Sequence, residues 1–223
     1  MEMHEKYDAD KAAVVRKMED NADKYEDILG SYLVKLSTHP LSGQDSRESA
    51  MLLHMIGDLE RISDHAVNLL EAGEEMRAKK IDFTPAAQAE LQQLTAAVAE
   101  VVELALRAFT CTDLTAAAMV EPLEQVVDEL KEKLRGNHIL RLQRGECSIE
   151  AGFIWSDLLT DLERVADHCS NIAVCILRIH DSVFDAHEYL NNYKNDGGEH
   201  FTKSFESYAR KHKLPEFKAK GNN

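Results

Sequence analysis

The stretch "DLERISDH" runs from Asp58 to His65, and "DLERVADH" runs from Asp161 to His168. Six of the eight positions are identical, and the other two exchange Ile62 for Val165 and Ser63 for Ala166. Each octapeptide lies within a long run whose apolar residues recur at helical spacing. A chain that writes a carboxylate-rich helical segment twice, 103 residues apart, repeats the fold around that segment.

The repeat extends outward from the octapeptides. A shift of 105 residues places Asp8 on Asp113, Val15 on Val120, Met18 on Leu123, Glu19 on Glu124, Asp23 on Asp128 and Leu29 on Leu134. The periodicity predicts helices over about Asp8–Lys35, Ser49–Arg77, Pro85–Phe109, a fourth to about Leu140, and Ile149–Ile179, with a shorter one beyond Asp181 to about Tyr193. "STHPLSGQDS" (Ser37–Ser46) and "LQRGECS" (Leu142–Ser148) read as loops, Thr84-Pro85 as a helix start, and Pro122 as a start or kink of the fourth helix. The helix Pro85–Phe109 has no counterpart upstream. The fold expected is therefore all-α, two pseudo-symmetric three-helix-bundle repeats, with the first helix of repeat one missing from the chain. Residues 1–80 form the truncated repeat (helices B and C) and 81–193 the second repeat with a C-terminal extension. Residues 194–223 form a basic tail, partly disordered. The missing helix predicts an apolar face that is exposed or covered by a partner, for which a homodimer is one expectation.

Composition agrees with a helical bundle. The 223 residues are 44% apolar and 30% charged, with four Pro and ten Gly, so turns are sparse. The net charge of −14 makes nucleic acid a poor partner. No apolar run approaches the 18 residues of a membrane span, so no direct membrane insertion of this chain is expected. Cys111, Cys147, Cys169 and Cys175 form no C-x-x-C pair, which suggests reduced thiols and a cytoplasmic location.

The four repeated helices each carry Glu-x-x-x-Asp: Glu19 and Asp23, Glu60 and Asp64, Glu124 and Asp128, Glu163 and Asp167. That spacing puts two carboxylates on one helix face, one turn apart. Glu60 falls among Leu53, Ile56 and Val67, and Glu163 among Leu159, Val174 and Leu177, so like charges repel at the edge of an apolar arc. A raised pKa, an Arg partner or a metal ion would compensate. Arg61 and Arg164 follow each Glu directly and point away from it. If the paired helices run antiparallel, four carboxylates face one cleft in each repeat. These eight residues are the candidate metal ligands, and their hard oxygens suit magnesium, manganese, iron or calcium. His65 and His168, with Asn68 and Asn171, fall on a separate polar arc and read as supporting or exposed groups.

Catalytic motifs are weak, and no catalytic or cofactor-binding residue is assigned. Di-iron bundles need Glu-x-x-His, and no His here has a Glu three residues before it. A metal-dependent phosphohydrolase could use His180-Asp181 with His54, His65 or His168, a minor alternative beside a purely structural, dimerising bundle.

The four motifs together, "EDNAD" (Glu19–Asp23), "ERISDHAVN" (Glu60–Asn68), "EQVVD" (Glu124–Asp128) and "ERVADHCSN" (Glu163–Asn171), resemble the PhoU family over about residues 8–180. The resemblance implies two three-helix repeats whose motif acids ligate a multinuclear metal cluster, iron or zinc among others. It also implies a non-enzymatic role in regulating phosphate uptake, through contact with a phosphate transporter membrane domain or a phosphate-sensing protein. The family also occurs as the cytoplasmic C-terminal domain of sodium/phosphate cotransporters. A chain that starts mid-repeat looks similar to such a domain, tethered at the inner face of the membrane through upstream spans.

Overall fold

The computed structural model describes residues 7–181 and 199–215. Among them are six helices and no strand: α1 Ala9–Leu36, α2 Gly43–Lys79, α3 Pro85–Cys111, α4 Leu114–Gln143, α5 Ile149–Asp181 and α6 Glu199–Lys211. The all-α expectation is met. The shorter helix expected to reach Tyr193 lies outside the described residues.

The helix starts follow from local chemistry. The Asp8 side chain accepts from the backbone N–H groups of Asp10 and Lys11, and the Asp113 side chain from that of Ala116. These two caps sit 105 residues apart, so the repeat includes its own start signal. Thr84 caps α3 with Pro85 in the first helical position, where a missing N–H costs nothing. Ser42 caps α2, so this helix begins six residues before the expected Ser49. The polar, Ser-rich opening of α2 hides it from a periodicity reading, because its first turn buries little. Pro122 lies inside α4 and is buried, so it does not start that helix. In the α4–α5 turn Gly145 takes φ +67°, a left-handed conformation that suits a residue without Cβ.

Packing divides along the repeats. α3, α4 and α5 pack on one another, α1 packs on α2, and α2 packs along α5 to join the two halves. The centre of α3–α4–α5 holds Leu94, Val101, Val120, Leu123, Leu134 and Trp155, all essentially without solvent access. Phe83 meets Trp155 edge to face at 5.0 Å. A buried ion pair, Arg141 Nη1 to Glu90 Oε2 at 2.8 Å, ties α4 to α3, and Asn137 donates to the other oxygen of Glu90 at 2.8 Å. Among the described residues the first repeat has no helix in the place of α3, and apolar residues of α1 are uncovered: Met18 is 63% exposed and Tyr25 is 64% exposed.

Part of the expected tail is ordered. α6 packs on α4. The buried His212 and the Lys211 ammonium both reach Glu100 on α3, at 2.8 and 2.6 Å. The basic composition gave the expectation of a partly disordered tail; Phe205, Tyr208 and Ala209, packed against the core, are what dock α6.

Candidate functional site

The carboxylates of the second repeat come together where α4 and α5 pack. Glu124 is buried, at 8% exposure, although it bears no ion pair with any described residue. Its carboxyl is pushed up to about 7, first by burial and then by the charges of Asp128, Glu121, Asp167 and Glu163. Asp128 is raised as well, by burial and by Glu163 and Asp167, with Lys131 opposing. Lys131 Nζ stands 3.0 Å from Glu163 Oε2, so a cation from the next turn of α4 already sits beside this acid group. Of the anticipated forms of compensation, a raised pKa is present, and Lys131 adds a partial one of its own.

The first repeat carries the same set on α1 and α2 in more open form. Glu19 is raised by burial and by the neighbouring Asp20, Asp64 and Asp23, which brings the α1 and α2 motifs to one face. Glu60 is raised by burial and by Asp64, with Arg61 opposing and Glu26 adding to the shift. Asp23 and Asp64 are exposed, where the edge of an apolar arc was expected for Asp64. That arc is itself thin: without a covering helix, Leu53 is exposed too. Glu26 stands 105 residues before Lys131, so the first cluster has an acid where the second has its lysine.

The donor set is chemically suited to a hard cation, being eight carboxylates with some carrying raised pKa values. Their spacing is looser than a closed coordination shell: among the described residues no group of three or more His, Cys, Asp or Glu side chains is drawn together around one point. In the second cluster an ion would take the place that the Lys131 ammonium now holds at Glu163.

The octapeptides themselves do something the sequence did not disclose. α2 and α5 cross so that each copy grips the other. His65 Nδ1 lies 2.8 Å from Asp161 Oδ1, and His168 Nδ1 lies 2.9 Å from Asp58 Oδ1. Asn68 and Asn171 donate to the same two oxygens at 3.2 and 3.5 Å. The two imidazoles stack between them, 5.7 Å apart and 25° from parallel. Asp58, His65, Asn68 and their equivalents therefore form a reciprocal clasp about a local two-fold axis. The first and last letters of the octapeptide belong to this clasp, and its middle acids, Glu60 with Asp64 and Glu163 with Asp167, turn to the clusters. The sequence signal was present, since a residue repeated at an interface axis must meet its own copy, but nothing in one helix says which two helices cross.

The phosphohydrolase alternative gains no geometry from these histidines. The Nδ1 atoms of His65 and His168 are taken by Asp161 and Asp58. Among the described residues no helix is long and apolar enough to cross a membrane.

Comparison with known proteins follows the same outline. The PhoU domain family matches residues 1–73 and 91–176. The phosphate-specific transport system accessory protein PhoU homolog 1 of Thermotoga maritima is 30% identical over 128 residues, covering 57% of this chain and 54% of that protein. The chain thus spans about half the length of that relative. The PhoU homolog of Deinococcus radiodurans is 25% identical over 174 residues, 77% of this chain and 78% of that protein. The crystal structure of PhoU from Pseudomonas aeruginosa aligns with a TM-score of 0.69 at 24% identity, over 77% of this chain and 82% of that one, a likeness of fold. The chain belongs to the PhoU domain family.

Proposed function

We propose that this member of the PhoU domain family is a non-enzymatic regulatory domain of phosphate uptake. It acts by docking on a phosphate transporter or its sensor, and its two carboxylate clusters bind metal ions. The observation that carries the metal-binding part is the meeting of Glu124, Asp128, Glu163 and Asp167 with Glu124 held near neutrality. Acids in that state are poorly compensated by the protein, and a cation supplies the missing charge. Glu19, Asp23, Glu60 and Asp64 would hold a second ion or cluster. The ion would be iron, zinc, manganese or magnesium, and it would cross-link the two helices of each pair, fixing the outer surface that a partner meets. The accessory role is supported by the names of the Thermotoga and Deinococcus relatives. The cytoplasmic domain of a sodium/phosphate cotransporter is the particular setting we propose. The motif register and the uncovered face of α1 are consistent with it.

Metal content of the protein purified without chelator tests the first part. Bound metal is expected in the wild type and is expected to fall on Glu163→Ala with Asp167→Ala. A metal-free wild type, or content unchanged by the double substitution, sinks it. Cross-linking in cells to the phosphate transport machinery tests the second, and recovery of no component of that machinery argues for a purely structural bundle.

A further inference from the structure

The two-fold axis through the clasp relates two pockets, one at each end of the α2–α5 crossing. The first lies beside Asn68 and Asp161 and the second beside Asn171 and Asp58. Their positions correspond at the 103-residue offset, but their side chains do not. Where the first has Glu75, the second has Arg178; where the first has Glu71, the second has Val174; where the first has Asp157, the second has His54. One backbone arrangement thus carries an acidic pocket at one end and a basic one at the other.

The basic pocket has a volume of about 570 Å³, within the range of small-molecule sites. Arg61 enters from α2 and Arg178 from α5, and neither forms an ion pair or hydrogen bond with any described residue. Asp58, the carboxylate on its floor, is already engaged through Oδ1 by His168 and Asn171. Two unpaired guanidiniums from facing helices, in a protein of net charge −14, are a local reversal of sign that solvation of a helix face does not require. A tetrahedral dianion can engage two guanidiniums at once, whereas one guanidinium suffices for a carboxylate. His54 adds a ring N–H donor at the pocket wall. The pocket is wider than an inorganic ion needs, and Leu53 and Val174 give it an apolar side.

We infer that the Arg61–Arg178 pocket binds the phosphate group of a small phosphorylated organic molecule, the phosphate lying between the two guanidiniums and the organic part against Leu53 and Val174. Arg61 follows Glu60 of the first cluster directly, but the proposed contacts use no metal ion, so a test run without metal keeps this site separable from metal binding.

Isothermal titration of the full chain in chelator-treated buffer tests it, with phenyl phosphate and AMP as probes and inorganic phosphate as comparison. Removing metal keeps phosphate bound through an ion at the clusters from contributing. Expected is saturable binding of at least one organic phosphate with Kd on the order of millimolar or tighter. Arg61→Ala with Arg178→Ala is expected to weaken it at least about tenfold, while Glu71→Gln with Asp157→Asn in the acidic pocket leaves it unchanged or tighter. Both arginines are exposed, and an unchanged thermal unfolding curve shows that the double variant is folded. No binding of either probe, or binding that survives loss of both arginines, overturns the site. Inorganic phosphate bound as tightly as both organic probes overturns the assignment of an organic ligand.

Discussion

Met18 and Leu123 occupy the same place in the two repeats, and they live in different solvents. Met18 is 63% exposed, and Leu123 has no accessible surface. Tyr25 and Leu130 repeat the contrast, at 64% and 4%. The helices that carry them share caps, motif acids and register. What differs is a third helix: α3 covers α4 and α5, and nothing among the described residues covers α1 in the same way. A helix pair with good caps and periodicity is therefore only half of this fold, and burial comes from the third element.

The contrast is broken most severely from the core side. Leu123→Ala should cost about 2–5 kcal/mol in urea unfolding, whereas Met18→Ala should stay within about 0.5 kcal/mol. Equal losses would mean that the α1 face is buried in solution, and would point to a partner or a second copy.

Glu124 gives the next effect, and its sign is set by its raised pKa. Its folded value, about 7, lies above that of an ordinary glutamate, so the folded state holds a proton that the unfolded state has released. Its contribution is most favourable below the unfolded pKa and is lost as pH rises toward 7, by up to about 3 kcal/mol. Metal-free protein should therefore lose stability over that window. Glu124→Gln should flatten the slope, and Glu60→Gln in the open repeat should flatten it less. Melting curves across the window check this, and an identical slope in Glu124→Gln refutes it.

The clasp ranks third in size. Asp58→Ala and Asp161→Ala each leave a mostly buried imidazole N–H without its acceptor, at about 1–3 kcal/mol apiece. The hydrogen bonds lost are the same at the two ends, but Asp58 lies beside Arg61 and Arg178 and Asp161 beside Glu71 and Glu75, so Asp58→Ala should cost the more, and the reverse order would break the comparison. Smallest of all is the surface pair Arg16 with Glu74, at 3.2 and 2.7 Å. Arg16→Gln should cost about 0.2–1 kcal/mol, less at high salt, since both side chains are partly exposed.

Much of the fold was legible in a single sequence because it is written twice. The sequence placed the start of α1 near Asp8, that of α3 at Thr84-Pro85, and the register of α2 and α5 through the octapeptides, while the start of α4 was left open because Pro122 read as a start or a kink, and the structure puts the cap at Asp113. The start of α2 was missed because its first turn buries little and so leaves no periodic mark. α6 was missed because its basic residues dominate a composition reading, while its docking depends on Glu100, more than a hundred residues away. In the candidate site the eight acids were legible as pairs on helix faces. Lys131 and Glu26, which give the two clusters different charge, follow the same spacing logic but become meaningful only when facing helices are known.

The sequence by itself determined that this protein is a helical bundle built on a repeat, and which acids lie one turn apart on each helix. These are matters of local periodicity, which a chain carries along its own length. The tertiary structure decided which acids meet, that Asp58 and His65 serve the crossing rather than the clusters, and that one pair of equivalent pockets has opposite charge at its two ends. Those facts depend on which helix faces which, and that choice is made by burial summed over the whole chain.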